Sequence, residues 1–107
     1  MEATIRVDNM MTTLINVFSL EPDKQTALVA ALMEGTETFF SKQPGFISAS
    51  VVAGRDGRQV INYSQWRSAG EIDAFRRNPA FAAYIQGIAA LAKAESVMGD
   101  VVSVRTA

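Results

Sequence analysis

The stretch Gln59-Val60-Ile61-Asn62-Tyr63-Ser64-Gln65-Trp66-Arg67-Ser68 decides how this chain is read. Its β-branched and aromatic residues predict a strand, and side chains along a strand point alternately to opposite faces. Val60, Asn62, Ser64 and Trp66 then share one face, with Ile61, Tyr63 and Gln65 on the other. Asparagine is depleted in strands, because its amide competes with the backbone and is costly to bury unpaired. Here an asparagine sits mid-strand with a tryptophan four residues on, both on one face. A carboxamide and an indole N–H are therefore expected to point together into whatever covers that face.

Upstream, Arg55-Asp56-Gly57-Arg58 carries the Asp-Gly pair of a hairpin, which joins this strand to one expected over 46–52. In that partner Ile47, Ala49 and Val51 alternate against Phe46, Ser48, Ser50 and Val52. Gln43-Pro44-Gly45 ends a helix that opens at Glu21-Pro22-Asp23 and carries Leu28, Leu32, Thr36 and Phe39 at helical spacing to about Ser41. The first strand is expected over 12–19, with Leu14, Asn16 and Phe18 on one face and Ile15 and Val17 on the other. Residues 1–11 show no periodicity and read as an arm ahead of a single domain over 12–107. Downstream, Ser68-Ala69-Gly70-Glu71 is a capping box that opens a second helix through Ile72 and Phe75. Asn78-Pro79 interrupts it, and a further helix is expected over 79–94 with Phe81, Tyr84, Ile85, Ile88 and Leu91 as its apolar stripe. Val101, Val102 and Val104 predict a last strand over 98–104.

The order β-α-β-β-α-β implies an α+β, ferredoxin-like fold: a four-stranded antiparallel sheet with helices on one face. Strands one, two and four are apolar on both faces, yet two helices cover only one. The economical cover for the other is the same face of a second copy, so the patterning predicts a homodimer with sheets packed face to face.

Composition excludes much. The chain has 107 residues, 49% apolar and 20% charged, with net charge −1 and no basic cluster beyond Arg76-Arg77, so neither nucleic acid nor a membrane surface is an expected partner. No apolar run approaches the ~18 residues of a membrane span and no secretory h-region opens the chain, which makes the cytoplasm the expected compartment. There is no cysteine and no histidine. That removes disulfides, thiolate chemistry, the usual metal and haem ligand, and the histidine proton shuttle. Acidic residues are scattered and no glycine-rich nucleotide loop is present. An enzyme built from this chain is expected to work without metal or bound cofactor.

Ile15-Asn16-Val17-Phe18 ahead of Glu21-Pro22, Gln43-Pro44-Gly45-Phe46, Asp56-Gly57 and above all Val60 to Ser68 resemble the antibiotic biosynthesis monooxygenase family of dimeric α/β barrels. The resemblance runs from about Thr13 to Val104. Members oxidise polyketides, quinols or haem. In the polyketide-oxidising branch, the third-strand Asn and Trp face a cavity between sheet and helices and take part in cofactor-free oxygenation of anthrone-type aromatics. Asn62 and Trp66 match that pair, and Phe39 falls where the branch places an aromatic on the first helix. The haem-degrading branch uses a first-strand Asn, this Trp and a second-helix histidine. Asn16 and Trp66 fit, but the region of Tyr84-Ile85 supplies no histidine, which argues against haem.

The expected site therefore has Asn62 and Trp66 as neutral hydrogen-bond donors, with Asn16, Phe39, Phe75, Phe81 and Tyr84 around a small planar aromatic substrate that reacts with O₂. Such donors suit a developing phenolate or enolate in a dry site. Tyr84 is a further donor from the helix side. No general base is evident, so the substrate must be acidic in itself or meet solvent hydroxide. The alternative is a ligand-binding or structural homodimer of the same fold without catalysis.

Overall fold

The computed structural model describes residues 5, 7 and 11–107. Of the expected arm, residues 1–4, 6 and 8–10 lie outside the described residues; Met11, its last residue, is buried. Strand β1 (Thr12–Ser19) leads through a short 3₁₀ turn (Pro22–Lys24) into helix α1 (Gln25–Thr38). A second 3₁₀ turn (Phe40–Lys42) precedes β2 (Phe46–Ala53), which pairs with β3 (Gln59–Trp66). Helices α2 (Ala69–Arg76) and α3 (Pro79–Ala89) follow, and β4 (Lys93–Gly99) closes the order. The sheet runs β2-β3-β1-β4 and every pairing is antiparallel, the ferredoxin-like arrangement.

Local chemistry explains the joints. Ser68 caps α2 by accepting from the Glu71 backbone N–H, one half of the capping box read from the sequence, while the Glu71 carboxylate pairs with Arg67. Asn78 caps α3 by accepting from the Ala80 N–H, with Pro79 at the first helical position, where its missing N–H costs nothing. Gly57 holds the β2–β3 hairpin at φ 79° and Gly45 the entry to β2 at φ 87°, both in the left-handed region.

Three expectations are corrected. The second strand has a β-bulge between Phe46 and Ser48, so Ile47 is the extra residue and the alternation changes phase there. Phe46 consequently joins Ala49 on the helix-covered face instead of standing opposite it. Helix α3 stops at Ala89 and not at 94. The last strand is 93–99 and not 98–104, which leaves the valine-rich 101–104 outside the sheet. The sequence Lys93-Ala94-Glu95-Ser96 has little strand propensity; it is a strand because β1 pairs with it in register from Thr13↔Gly99 to Ser19↔Lys93.

The core forms as two clusters between sheet and helices. Phe18, Leu28, Leu32, Val60 and Ile88 make one, while Leu14, Trp66, Ile72 and Phe75 make the other. Leu28, Val60 and Ile72 are completely shielded from solvent, so truncating Leu28 to alanine is expected to cost ~2–5 kcal/mol. The opposite sheet face carries half-buried Ile15, Val17, Ile61 and Tyr63, with Val52 and Val97 more than half exposed. Among the described residues no helix is long and apolar enough to cross a membrane.

Candidate active site

Between the two core clusters, where sheet and helices part, lies a cavity of about 180 Å³. Its floor is the sheet: Leu14, Asn16 and Phe18 of β1, Asn62, Ser64 and Trp66 of β3, Phe46 and Ala49 of β2, and Ala94 and Ser96 of β4. The period-2 alternation of each strand places these side chains together. Its roof comes from Leu32 and Thr36 of α1, Phe40 after it, Phe75 and Arg76 of α2, and Phe81, Tyr84, Ile85 and Ile88 of α3.

The walls are aromatic. Trp66 lies 4.7 Å from Phe75, centroid to centroid, and 5.3 Å from Phe46 edge-on. Phe40 sits among Phe75 (5.2 Å), Tyr84 (5.3 Å) and Phe81 (6.2 Å), always edge to face. Edge-to-face rings favour one another through their quadrupoles. Gly35 makes the fit on α1 possible, since a Cβ there would lie 2.4 Å from Tyr84 Cε1.

A polar row crosses this apolar floor. Asn62 pairs with Asn16 across β3 and β1, and Asn16 with Ser96 across β1 and β4. The Ser96 hydroxyl donates to Asn16 Oδ1. In the next row Trp66 Nε1–H donates to Ser64 Oγ at 3.1 Å, and Ser64 Oγ–H donates to the Leu14 carbonyl, also at 3.1 Å. Thr36 Oγ1 is turned back onto the Leu32 carbonyl. Asn62 is different: its Oδ1 is buried and has no hydrogen-bond partner. Buried polar groups are normally satisfied, so an orphan acceptor beside a cavity is a candidate for a ligand contact. Burial pushes the Tyr84 hydroxyl up from 10.0 to about 12, so it stays protonated and able to donate at any physiological pH.

Asn62, Trp66, Asn16, Phe75, Phe81 and Tyr84 are thus brought around one cavity. Phe39 is not. Helix α1 ends at Thr38, and Phe39 takes φ −124° and ψ −64°, which breaks the helical phase that placed it inward. Phe39 backs the wall through Phe40 (5.0 Å) and Phe75 (6.4 Å), and Phe40 takes the inner position. The Trp66 indole is also not the open donor expected from the sequence, because Ser64 receives its N–H. Phe46 and Ser96 line the cavity at positions the sequence pattern does not place there, while Ser64 lies on the expected face. Ser64 was legible from its place between Asn62 and Trp66 on one strand face, whereas Phe46 depended on the bulge and Ser96 on the position of β4.

The model of the antibiotic biosynthesis monooxygenase family matches residues 11–87, well over half of the chain. The chain belongs to that family. A curated relative, a tetracenomycin-F1 monooxygenase from Streptomyces glaucescens, is 43% identical over 77 residues, which is 72% of this chain and 69% of that protein. Among solved structures, the monooxygenase ActVA-Orf6 of Streptomyces coelicolor in complex with nanaomycin D superposes with a TM-score of 0.83 at 24% identity, over 92% of this chain and 93% of that one. SnoaB, a cofactor-independent oxygenase from Streptomyces nogalater, superposes with a TM-score of 0.75 at 22% identity, over 88% and 95%. At these identities the structures bear on the fold alone. The family assignment rests on the sequence match, and the segment it covers includes all of β1 to α2 and most of α3.

Proposed function

We propose that this antibiotic biosynthesis monooxygenase family protein is a cofactor-independent monooxygenase that oxidises a planar, ionisable aromatic molecule with O₂ to a quinone. The observation that carries the reading is the unpaired Asn62 Oδ1 on the floor of a cavity walled by aromatic rings, Phe40 edge-on to Phe75 and Trp66 tilted by 34° to Phe75. A flat hydroxylated ring system fills both needs, its faces against the rings and a hydroxyl donating to Asn62. The 43% identity to a tetracenomycin-F1 monooxygenase supports the monooxygenase class of reaction.

Triplet O₂ reacts slowly with closed-shell molecules, and a delocalised aromatic anion overcomes this by supplying the first electron itself. For an anthrone the balance is one CH₂ plus O₂ giving one C=O plus H₂O. The carbon loses a proton, the carbanion passes one electron to O₂, and the radical pair forms a C–O bond. Protonation gives the hydroperoxide. Loss of the second C–H proton with cleavage of O–O then leaves the carbonyl and releases water. No Asp or Glu stands among the described residues that line the cavity, so the first proton leaves because the substrate is acidic. The protein's part is to hold the ring flat, exclude water and stabilise the oxyanion. Asn62 does the last through its amide, which turns N or O toward the substrate at no steric cost. Tyr84 donates from the roof. Trp66, its N–H held by Ser64, acts as a wall whose angle is set by that bond.

The exposed Val52 and Val97 on the far face, with Ile15, Val17, Ile61 and Tyr63, fit a second copy packed sheet to sheet, and the homodimer is part of this proposal.

Incubating the full chain with anthrones under air tests the function. One O₂ consumed per quinone formed, one labelled oxygen atom in the product, and a loss of about 10²–10³ in turnover for Asn62→Ala are expected. Full activity in Asn62→Ala refutes the site. Ring binding without turnover returns the non-catalytic alternative.

A further inference from the structure

Only two of the residues lining the cavity can carry charge, Tyr84 and Arg76, and they differ in setting. Tyr84 is half-buried and neutral under the roof. Arg76 is exposed, although Phe75 beside it is only 3% exposed, so Arg76 marks the place where the cavity meets solvent. It falls four residues after fully buried Ile72, which puts it on the helix stripe that faces the sheet; Arg77, one residue on, does not line the cavity. The chain ends α2 at this point because Asn78-Pro79 starts a new helix.

Among the described residues its charge also has no salt-bridge partner; the salt bridge is made by a different arginine, Arg67, with Glu71. The last turn of α2 favours a cation, which accounts for a basic residue there but not for its place on the cavity wall. Deeper in, the walls are mostly apolar, broken by neutral amide and hydroxyl groups, and burial raises the Tyr84 hydroxyl, so an anion is costlier there than at the mouth. A permanently ionised substituent on a bound molecule is therefore held at lower cost at the solvent-facing mouth than on the floor, where Asn62 meets only the oxyanion formed during reaction.

We propose that Arg76 is a specificity-determining residue that selects planar aromatic substrates bearing a carboxylate at the end left at the cavity mouth. The inference rests on the aromatic-substrate reading above and adds an orientation to it: hydroxyl inward on Asn62, carboxylate outward on Arg76. The guanidinium suits both parts of such a molecule, pairing with the carboxylate in a fork and stacking flat on a ring face.

The test uses two non-reacting probes of one shape, an anthraquinone carrying a carboxylate on an outer ring and the same anthraquinone with a neutral carboxamide. Trp66 is the only tryptophan and lines the cavity, so quenching of its emission reports binding without any turnover. The wild-type chain is expected to bind the carboxylate about tenfold more tightly than the carboxamide, with the preference shrinking as salt is raised. Arg76→Gln should abolish the preference by weakening the carboxylate alone. Arg76→Lys should keep part of it. Equal affinity of wild type for the two probes overturns the proposal and leaves the aromatic-substrate reading standing. Equal loss of both probes in Arg76→Gln overturns it too, since that is what a structural role would produce. Binding of neither probe overturns the aromatic-substrate reading and this inference with it.

Discussion

Ser64→Ala is the substitution whose effect follows most directly from the geometry. It removes the oxygen that accepts from Trp66 Nε1–H at 3.1 Å and the hydroxyl that donates to the Leu14 carbonyl. Ser64 itself is small, so little packing is lost. What remains is an indole N–H without a partner on a side chain only 1% exposed. Leaving a buried donor unsatisfied costs ~1–3 kcal/mol, and about 2 kcal/mol is the expectation here. With a urea m-value of about 1–3 kcal/mol/M, the unfolding midpoint should fall by roughly 1 M. Emission of the single tryptophan follows the transition at the affected residue, and protein concentration is held fixed so that self-association does not contribute. Trp66→Phe removes the donor instead, so the double substitution should be less destabilised than the sum of the singles by ~1–2 kcal/mol, followed by circular dichroism. A Ser64→Ala protein within about 0.5 kcal/mol of wild type, or an additive cycle, would mean that the indole N–H is not held by Ser64. Trp66 would then be available to a ligand as a donor, and the division of labour argued between Asn62 and Trp66 would fail.

Asn62→Leu replaces an unsatisfied buried acceptor by an apolar side chain of similar size; stability by denaturant titration should be unchanged or higher while turnover falls about 10²–10³-fold. Gly35→Ala should be destabilising by ~1–3 kcal/mol, because its Cβ meets the Tyr84 ring at 2.4 and 2.9 Å. In a Tyr84→Ala background the same change should reverse sign and stabilise by up to ~1 kcal/mol, as alanine is the better helix former. Tyr84 holds its proton more tightly folded than unfolded, so its contribution is complete below pH 10 and is lost as pH rises toward 12; Tyr84→Phe should remove that part of the alkaline slope in a pH series of unfolding midpoints. A charge on the far sheet face, Val17→Lys, should convert the dimer to a monomer by solution mass, and a wild-type chain already monomeric at micromolar concentration would refute sheet-to-sheet pairing.

Much of the molecule is decided by local rules that a linear sequence displays. β1 and β3 follow from alternation, α2 from its capping box, α3's start from Asn-Pro, and the hairpin from Asp-Gly. The faces of β1 and β3 follow as well, since period-2 geometry needs no tertiary information, and so Asn16, Asn62 and Trp66 were placed together in advance. Three features were beyond that reach. The bulge at Ile47 turns Phe46 inward because β2 has to follow the twist and register of β3. β4 takes a weak strand sequence because β1 offers an unpaired edge to it, while stronger β-formers at 101–104 find none. Phe40 replaces Phe39 because the helix unwinds one residue early.

The last distinction concerns hydrogen bonds. Sequence alone determined which polar groups lie on the helix-covered face, because their spacing along the strand decides it. Which of those groups stay open to a ligand is decided only by the folded neighbourhood, where distances of about 3 Å separate a bonded donor from a free one. Ser64 sits within that distance of the Trp66 indole, and among the described residues no donor bonds Asn62 Oδ1. The pair read first as two equivalent donors is one oriented wall and one candidate ligand contact.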